Sequence, residues 1–197
     1  MSTSAIRHSL ALDQLVGLYD AMGWHAHRQE YHIDMAPGLV RSLKHSTDPN
    51  AMGVRKRPDL LVGPPGGPFY EEDLKLTLPL DTSKNCAIEL EQMVRLLLWS
   101  RHSNYDLRIM WRLAGDNPWR QYRVDASALA AHIVCYGSAA SSRQQLDDLM
   151  STLEGLCGPV VHDRFVEPRN GTGKPFVVIH RAYFAPPPWE LQPELAL

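Results

Sequence analysis

The sequence predicts a mixed α/β protein, a single domain with room for an appendage, and three observations carry that expectation. Ser9 to Gly23 places apolar residues close to a helical period. Glu71 to Leu78 alternates charged or hydroxyl side chains with leucines, which is the period of a strand. A second helical stripe between Asn85 and His102 is followed at once by a second alternating run, Tyr105 to Leu113. Helix and strand periods interleaved in this way imply helices packed on a sheet.

The elements follow in order. The first helix carries Leu10, Leu12, Leu15, Val16, Leu18, Tyr19 and Met22, and Gly23 supplies its stop. His25 to Ile33 holds no breaker and reads as a strand. Met35 to Arg55, with Pro37, Gly38, Asp48-Pro49-Asn50 and Gly53, reads as a loop with a short helical turn around Leu39 to Lys44. Arg57-Pro58-Asp59-Leu60-Leu61-Val62 is a short apolar run closed by Gly63-Pro64-Pro65-Gly66-Gly67-Pro68, a strand ending in a turn. Glu71 to Thr77 is the returning strand.

Asn85 to His102 reads as one helix with Ile88, Leu90, Val94, Leu97 and Leu98 inward and Ser83 available as its cap. Tyr105 to Leu113 is a strand, and Trp119 to Val124 a further one. Ser127 to Tyr136 and Ser142 to Leu156 read as helices, the second with a Ser142-x-x-Gln145 capping box and Gly158 beyond its end. Val160 to Val166 and Pro175 to Phe184 flank Arg169-Asn170-Gly171-Thr172-Gly173 and read as a hairpin. The Pro186-Pro187-Pro188 tail is expected to be extended unless docked. The division that follows is a core over 1–125, helices and a hairpin added over 126–185, and a proline-rich tail over 186–197.

Chemistry concentrates on the two central strands. Asp73 and Lys75 share a strand face, roughly 7 Å apart at Cα, and a hairpin-like return brings Asp59 beside Asp73. Magnesium takes hard oxygen ligands and keeps several waters, so one or two carboxylates and a substrate phosphate hold it. An adjacent lysine can orient the attacking water or offset developing negative charge. Asp59 and Asp73 are the candidate ligands and Lys75 their partner.

Pro58-Asp59, a spacer and Asp73-Leu74-Lys75 resemble the signature of the PD-(D/E)xK nuclease superfamily, which includes restriction enzymes, archaeal Holliday-junction resolvases and RecB-like exonucleases. The resemblance implies a restriction endonuclease-like core of helix, three-strand meander, helix and strand, matched by the order read over the first 125 residues or so. It implies catalysis by Asp59, Asp73 and Lys75, and Mg2+ or Mn2+ held by Asp59, Asp73 and the backbone carbonyl of Leu74. Many members carry a further acid on the first helix, where this chain has Asp13 and Asp20, with a solvated helix-face carboxylate as the ordinary alternative. Glu30 and Gln92 are further candidates. Leu96 stands where the RecB-like pattern places tyrosine four residues after the glutamine, so that subgroup pattern is incomplete.

A net charge of -2 gives no overall attraction to nucleic acid, and charge distribution matters more than its sum. Arg55, Lys56 and Arg57 precede Asp59, and Arg108, Arg112, Arg120 and Arg123 lie on adjacent strands, so their convergence would supply phosphate contacts, with Trp111, Trp119 and Tyr122 for stacking. Solvated arginines and core tryptophans are the equal alternative. Cys86, Cys135 and Cys157 have no metal-ligand spacing and read as reduced thiols. His25, His27 and His32 read as surface histidines rather than a zinc set. Gly171-Thr172-Gly173-Lys174 lacks the spacing of a phosphate-binding loop.

With 44% hydrophobic residues, no apolar run of membrane-spanning length and no charged-then-apolar leader, the expectation is a soluble, cytoplasmic protein. The favoured activity is a magnesium-dependent deoxyribonuclease acting on DNA, with a homodimer as the candidate assembly. A catalytically inactive nucleic-acid-binding or protein-interaction protein on the same fold is the alternative, and an unrelated α+β assembly protein is the third.

Overall fold

Ala11, Leu12, Leu15 and Tyr19 recur at helical spacing, and in the computed structural model they form the buried stripe of α1 (Thr3–Ala21). The structure describes residues 3–29, 58–76, 85–103, 105–112, 119–137, 143–163 and 174–191. Gly23 ends α1 with a positive φ of 71°, and its N–H donates to the Asp20 carbonyl at 2.9 Å. Leu10, expected in the stripe, is 58% exposed.

Three antiparallel strands follow: β1 (His25–Arg28), β2 (Leu60–Gly63) and β3 (Tyr70–Leu76). The loop and helical turn expected between β1 and β2 lie outside the described residues. Pro64-Pro65-Gly66-Gly67 makes the β2–β3 connection as a tight turn, with Gly66 at φ 69° and the Gly67 N–H on the Pro64 carbonyl at 3.0 Å. A positive φ after a proline suits glycine at the third position of a type II turn.

The predicted helix from Asn85 to His102 divides in two. Cys86–Glu89 is strand β4, and α2 begins only at Leu90 and runs to His102. Cys86 and Ile88 are buried while Ala87 is exposed, a strand alternation, and β4 pairs with β9 (Phe176–Ile179) far along the chain. Tertiary pairing overrode a stretch whose apolar spacing also fits a helix. The N-cap of α2 is Glu89, which makes no side-chain capping bond; Ser83 lies outside the described residues.

Beyond α2, β5 (Asp106–Arg112) runs parallel to β3, and β6 (Trp119–Arg123) returns antiparallel to β5. The first sheet therefore has the order β1-β2-β3-β5-β6. Helix, three-strand meander, helix and strand is the predicted order, with β4 inserted before the second helix. A parallel return needs a crossover over one sheet face, which α2 provides.

The C-terminal half holds two further departures. In place of one helix from Ser127 to Tyr136 stand α3 (Ala126–His132), capped by the Asp125 carboxylate on the Ser127 N–H, and β7 (Ile133–Tyr136). The expected hairpin does not form either. After α4 (Arg143–Cys157), β8 (Val161–Asp163) pairs parallel with β7, and β9 pairs antiparallel with β7 on its other edge. A second sheet of order β4-β9-β7-β8 results, so β7 separates the two strands expected to pair. Ser142 of the capping box lies outside the described residues, whereas Gly158 ends α4 at φ 90°.

Two cores flank the first sheet. Residues from α1 pack with Leu60, Val62, Tyr70, Leu74, Met110 and Trp119 on one face. On the other, Ile109, Trp111 and Tyr122 join α2, α3, α4 and the second sheet. The described part of the proline-rich tail, up to Leu191, is docked: Ala185 bridges Gln121, Arg120 pairs with Glu190, and Trp189 of the short helix α5 (Pro188–Leu191) meets the Tyr19 ring at 5.3 Å. No helix among the described residues is long and apolar enough to cross a membrane.

Candidate active site

The acidic run Glu71-Glu72-Asp73 lies on β3, where alternation sends Glu71, Asp73 and Lys75 to the α2 side and Glu72 with Leu74 to the α1 side. Leu61 opposes Glu71 and Leu60 opposes Glu72 across the β2–β3 ladder. Asp59, one residue before β2, continues that register toward Asp73. The Gln29 N–H donates to the Asp59 carbonyl at 2.8 Å and extends the β1–β2 pairing to this point.

The peptide around Leu74 gathers the candidate groups. The Leu74 N–H donates to Asp59 Oδ2 at 2.8 Å. Lys75 Nζ donates to Asp73 Oδ2 and, at 3.3 Å, to the Leu74 carbonyl. The Asp73 side chain is 0% exposed and that of Lys75 12%, so this ion pair is screened from water. Burial works against the Lys75 ammonium, yet Asp73 and Asp59 together outweigh it and raise its pKa. Lys75 is therefore a cation at neutral pH, a charge and hydrogen-bond donor rather than a base.

Three neighbours that the sequence did not assign to the site surround these groups. His8 of α1 holds Nε2 3.4 Å from Asp59 Oδ2, and its side chain is half-exposed. Asp59 raises the His8 pKa against the opposing effect of burial, with the Leu74 backbone adding to the rise. Glu71, buried, accepts from Trp99 Nε1 at 2.5 Å and from Gln29 Nε2 at 3.3 Å, tying β3 to α2 and β1. Cys86 on β4 senses the same pair: burial pushes its thiol up to about 12, with Lys75 pulling the other way. No local signal marks His8, because Asp59 is remote from it along the chain and the contact depends on how α1 lies on the sheet.

The other candidates are placed elsewhere. Asp13 pairs with Arg28 at 2.5 Å, an exposed ion pair. Asp20 is exposed on α1. Gln92 lies half-buried in the first turn of α2. Glu30, Arg55, Lys56 and Arg57 fall outside the described residues. Arg108 and Arg112 do not converge with the carboxylates. The β3–β5 register pairs Arg108 with Glu72 and Arg112 with Leu76, which puts both on the sheet face opposite Asp73 and Lys75. Arg112 donates to Gln14 at 2.6 Å.

Arg108 instead belongs to a second polar cluster. Its guanidinium lies 3.6 Å from the Tyr70 ring centroid and donates to Gln121 Oε1 at 2.9 Å. Gln121 Nε2 donates to Glu72 at 2.6 Å, and the Tyr19 hydroxyl lies 3.1 Å from both Glu72 oxygens. Burial raises the Glu72 pKa to about 7 even though Gln121 and Tyr19 favour the anion.

Two carboxylates and a backbone carbonyl are hard oxygen donors, so Asp59, Asp73 and Leu74 O suit Mg2+ or Mn2+ in chemical type. Among the described residues no set of three or more His, Cys, Asp or Glu side chains is arranged to hold a metal ion.

No protein-family model matches the chain, and no curated protein matches it. Among solved structures, the chain is similar to the 1.6 Å structure of Archaeoglobus fulgidus Hjc, a Holliday junction resolvase from an archaeal hyperthermophile. The identity is 18%, the TM-score 0.37, and the match covers 58% of this chain and 72% of that one.

Proposed function

We propose that the chain is a metal-dependent nuclease of the PD-(D/E)xK type that hydrolyses phosphodiester bonds in DNA. One observation carries the reading: Asp59, just before β2, and Asp73 and Lys75, on β3, all engage the Leu74 peptide or its immediate neighbours. Asp59, Asp73 and the Leu74 carbonyl would hold Mg2+ or Mn2+. Such an ion, when bound, stabilises charge on the attacked phosphate and lowers the pKa of a coordinated water.

The remaining work falls to the chain's own groups. Lys75, kept protonated by its two carboxylate neighbours, would orient the attacking water or offset charge on the phosphate. Glu71, anchored by Trp99 and Gln29, fixes the strand that presents Asp73 and Lys75. Arg55, Lys56 and Arg57, next to Asp59 in sequence, would supply phosphate contacts.

A second reading, a catalytically silent nucleic-acid-binding protein on the same fold, is favoured by a specific observation. Lys75 already engages the carboxylate and carbonyl that the cation would need, and no three-ligand set is formed among the described residues. One assay separates the two. Purified protein is incubated with circular, linear, single-stranded and branched DNA in Mg2+, Mn2+ or chelator. Cleavage that needs the ion and disappears in Asp73→Asn, with binding retained, supports the nuclease. Cleavage indifferent to chelator, or undiminished in Asp73→Asn, overturns it. DNA binding without cleavage under any condition supports the silent protein.

A further inference from the structure

We propose that His8 is a positioning residue of the cation site: its imidazole steadies Asp59 through Oδ2 and so sets how tightly a divalent ion is held. The inference rests on the metal-dependent reading above. It begins with how α1 is fixed over the sheet. Leu12, Leu15 and Tyr19 bury one stripe of the helix in the core shared with Leu60 and Leu74. On the adjoining side, Arg28 of β1 donates to Ser9 Oγ at 3.2 Å and to Asp13 Oδ1 at 2.5 Å. The helix is thus clamped in rotation and in height beside His8, and the imidazole reaches the start of β2.

There Nε2 lies 3.4 Å from Asp59 Oδ2, the same oxygen that accepts the Leu74 N–H at 2.8 Å. Two groups from different elements thus meet one carboxylate oxygen, the Leu74 N–H through a hydrogen bond and the His8 imidazole at contact distance, and together they orient the side chain. The role requires a proton on Nε2 and not a positive charge, so an amide of similar reach can replace it.

Residues that orient metal ligands without touching the ion change affinity by about 10- to 100-fold when removed. His8→Ala and His8→Gln test the assignment, because glutamine places an N–H near the position of Nε2 and alanine places none. Mn2+ affinity is measured without DNA by calorimetry, and melting temperature is recorded in chelator to monitor the fold. DNA cleavage is then measured across a Mn2+ titration.

Expected are Mn2+ binding weakened at least about 10-fold in His8→Ala, recovery toward wild type in His8→Gln, and a cleavage rate at saturating Mn2+ that falls far less than the affinity. Equal Mn2+ affinity in wild type and His8→Ala overturns the inference and leaves the nuclease reading standing. Weakening in His8→Gln as large as in His8→Ala also overturns it, since the imidazole itself would then be the ligand. Absence of Mn2+ binding by the wild-type protein defeats the metal-dependent reading and this inference with it. Where His8→Ala melts far lower in chelator, His8→Phe, which fills the space without an N–H, takes its place: weakened Mn2+ binding there with recovery in His8→Gln upholds the inference, and full Mn2+ affinity in His8→Phe overturns it.

Discussion

Replacing Glu72 with glutamine should abolish a pH dependence of stability that is built into the first sheet. Glu72 is 0% exposed and its carboxyl titrates near 7 rather than the ordinary 4.5, chiefly through burial. A carboxyl so shifted resists ionisation by on the order of 3 kcal/mol. Between pH 4.5 and 7 the native state therefore holds a proton that the unfolded chain has lost. Stability from this group is fully present below 4.5 and is lost as pH rises through the folded value of about 7. A glutamine at this position cannot ionise, while its amide can still accept from Gln121 and meet the Tyr19 hydroxyl. In urea titrations of wild type and Glu72→Gln at about pH 5 and pH 8, the variant should gain on wild type by on the order of 2 to 3 kcal/mol at the higher pH. A stability difference that is the same at both pH values would refute the assignment of a protonated native Glu72.

Two further outcomes are expected. In a double-mutant cycle on the buried pair, Lys75→Met alone should cost roughly 3 kcal/mol, because it removes the ammonium that balances a carboxylate excluded from water. The Asp73→Asn, Lys75→Met double variant should recover part of that loss, and strictly additive urea-unfolding energies would count against coupling. Gly158→Ala should lower stability by about 1 to 2 kcal/mol, since φ 90° at the end of α4 is strained for any residue with a Cβ; an unchanged melting temperature would contradict it.

The sequence by itself determined the elements whose period is unambiguous and the placement of those candidate site residues that are close along the chain. The α1 stripe, the β5 alternation and α4 with its terminal Gly158 are each written in spacing that only one structure satisfies. The Asp73-Leu74-Lys75 placement followed from strand alternation alone, and the turn residues after β2 indicated that Asp59 would return beside it. Tertiary structure decided what depends on remote partners. Cys86 to Glu89 fits a helix by its own spacing and becomes a strand because the distant β9 offers it a ladder. Ile133 to Tyr136 leaves its helix for the same sheet, and β7 then stands between β8 and β9, which local turn signals had joined. The same holds at the site. Which face Arg108 and Arg112 occupy was set by the β3–β5 register, not by their charge. Glu72 and Asp73, adjacent and alike in the sequence, entered opposite surroundings, one shared with tyrosines and an amide and the other with an ammonium. His8 met Asp59 only because a buried stripe and an Arg28 clamp oriented α1. Periodicity is a local property of the chain, whereas strand neighbours, face assignment and contacts across the sheet come from minimising exposed apolar surface over the whole molecule.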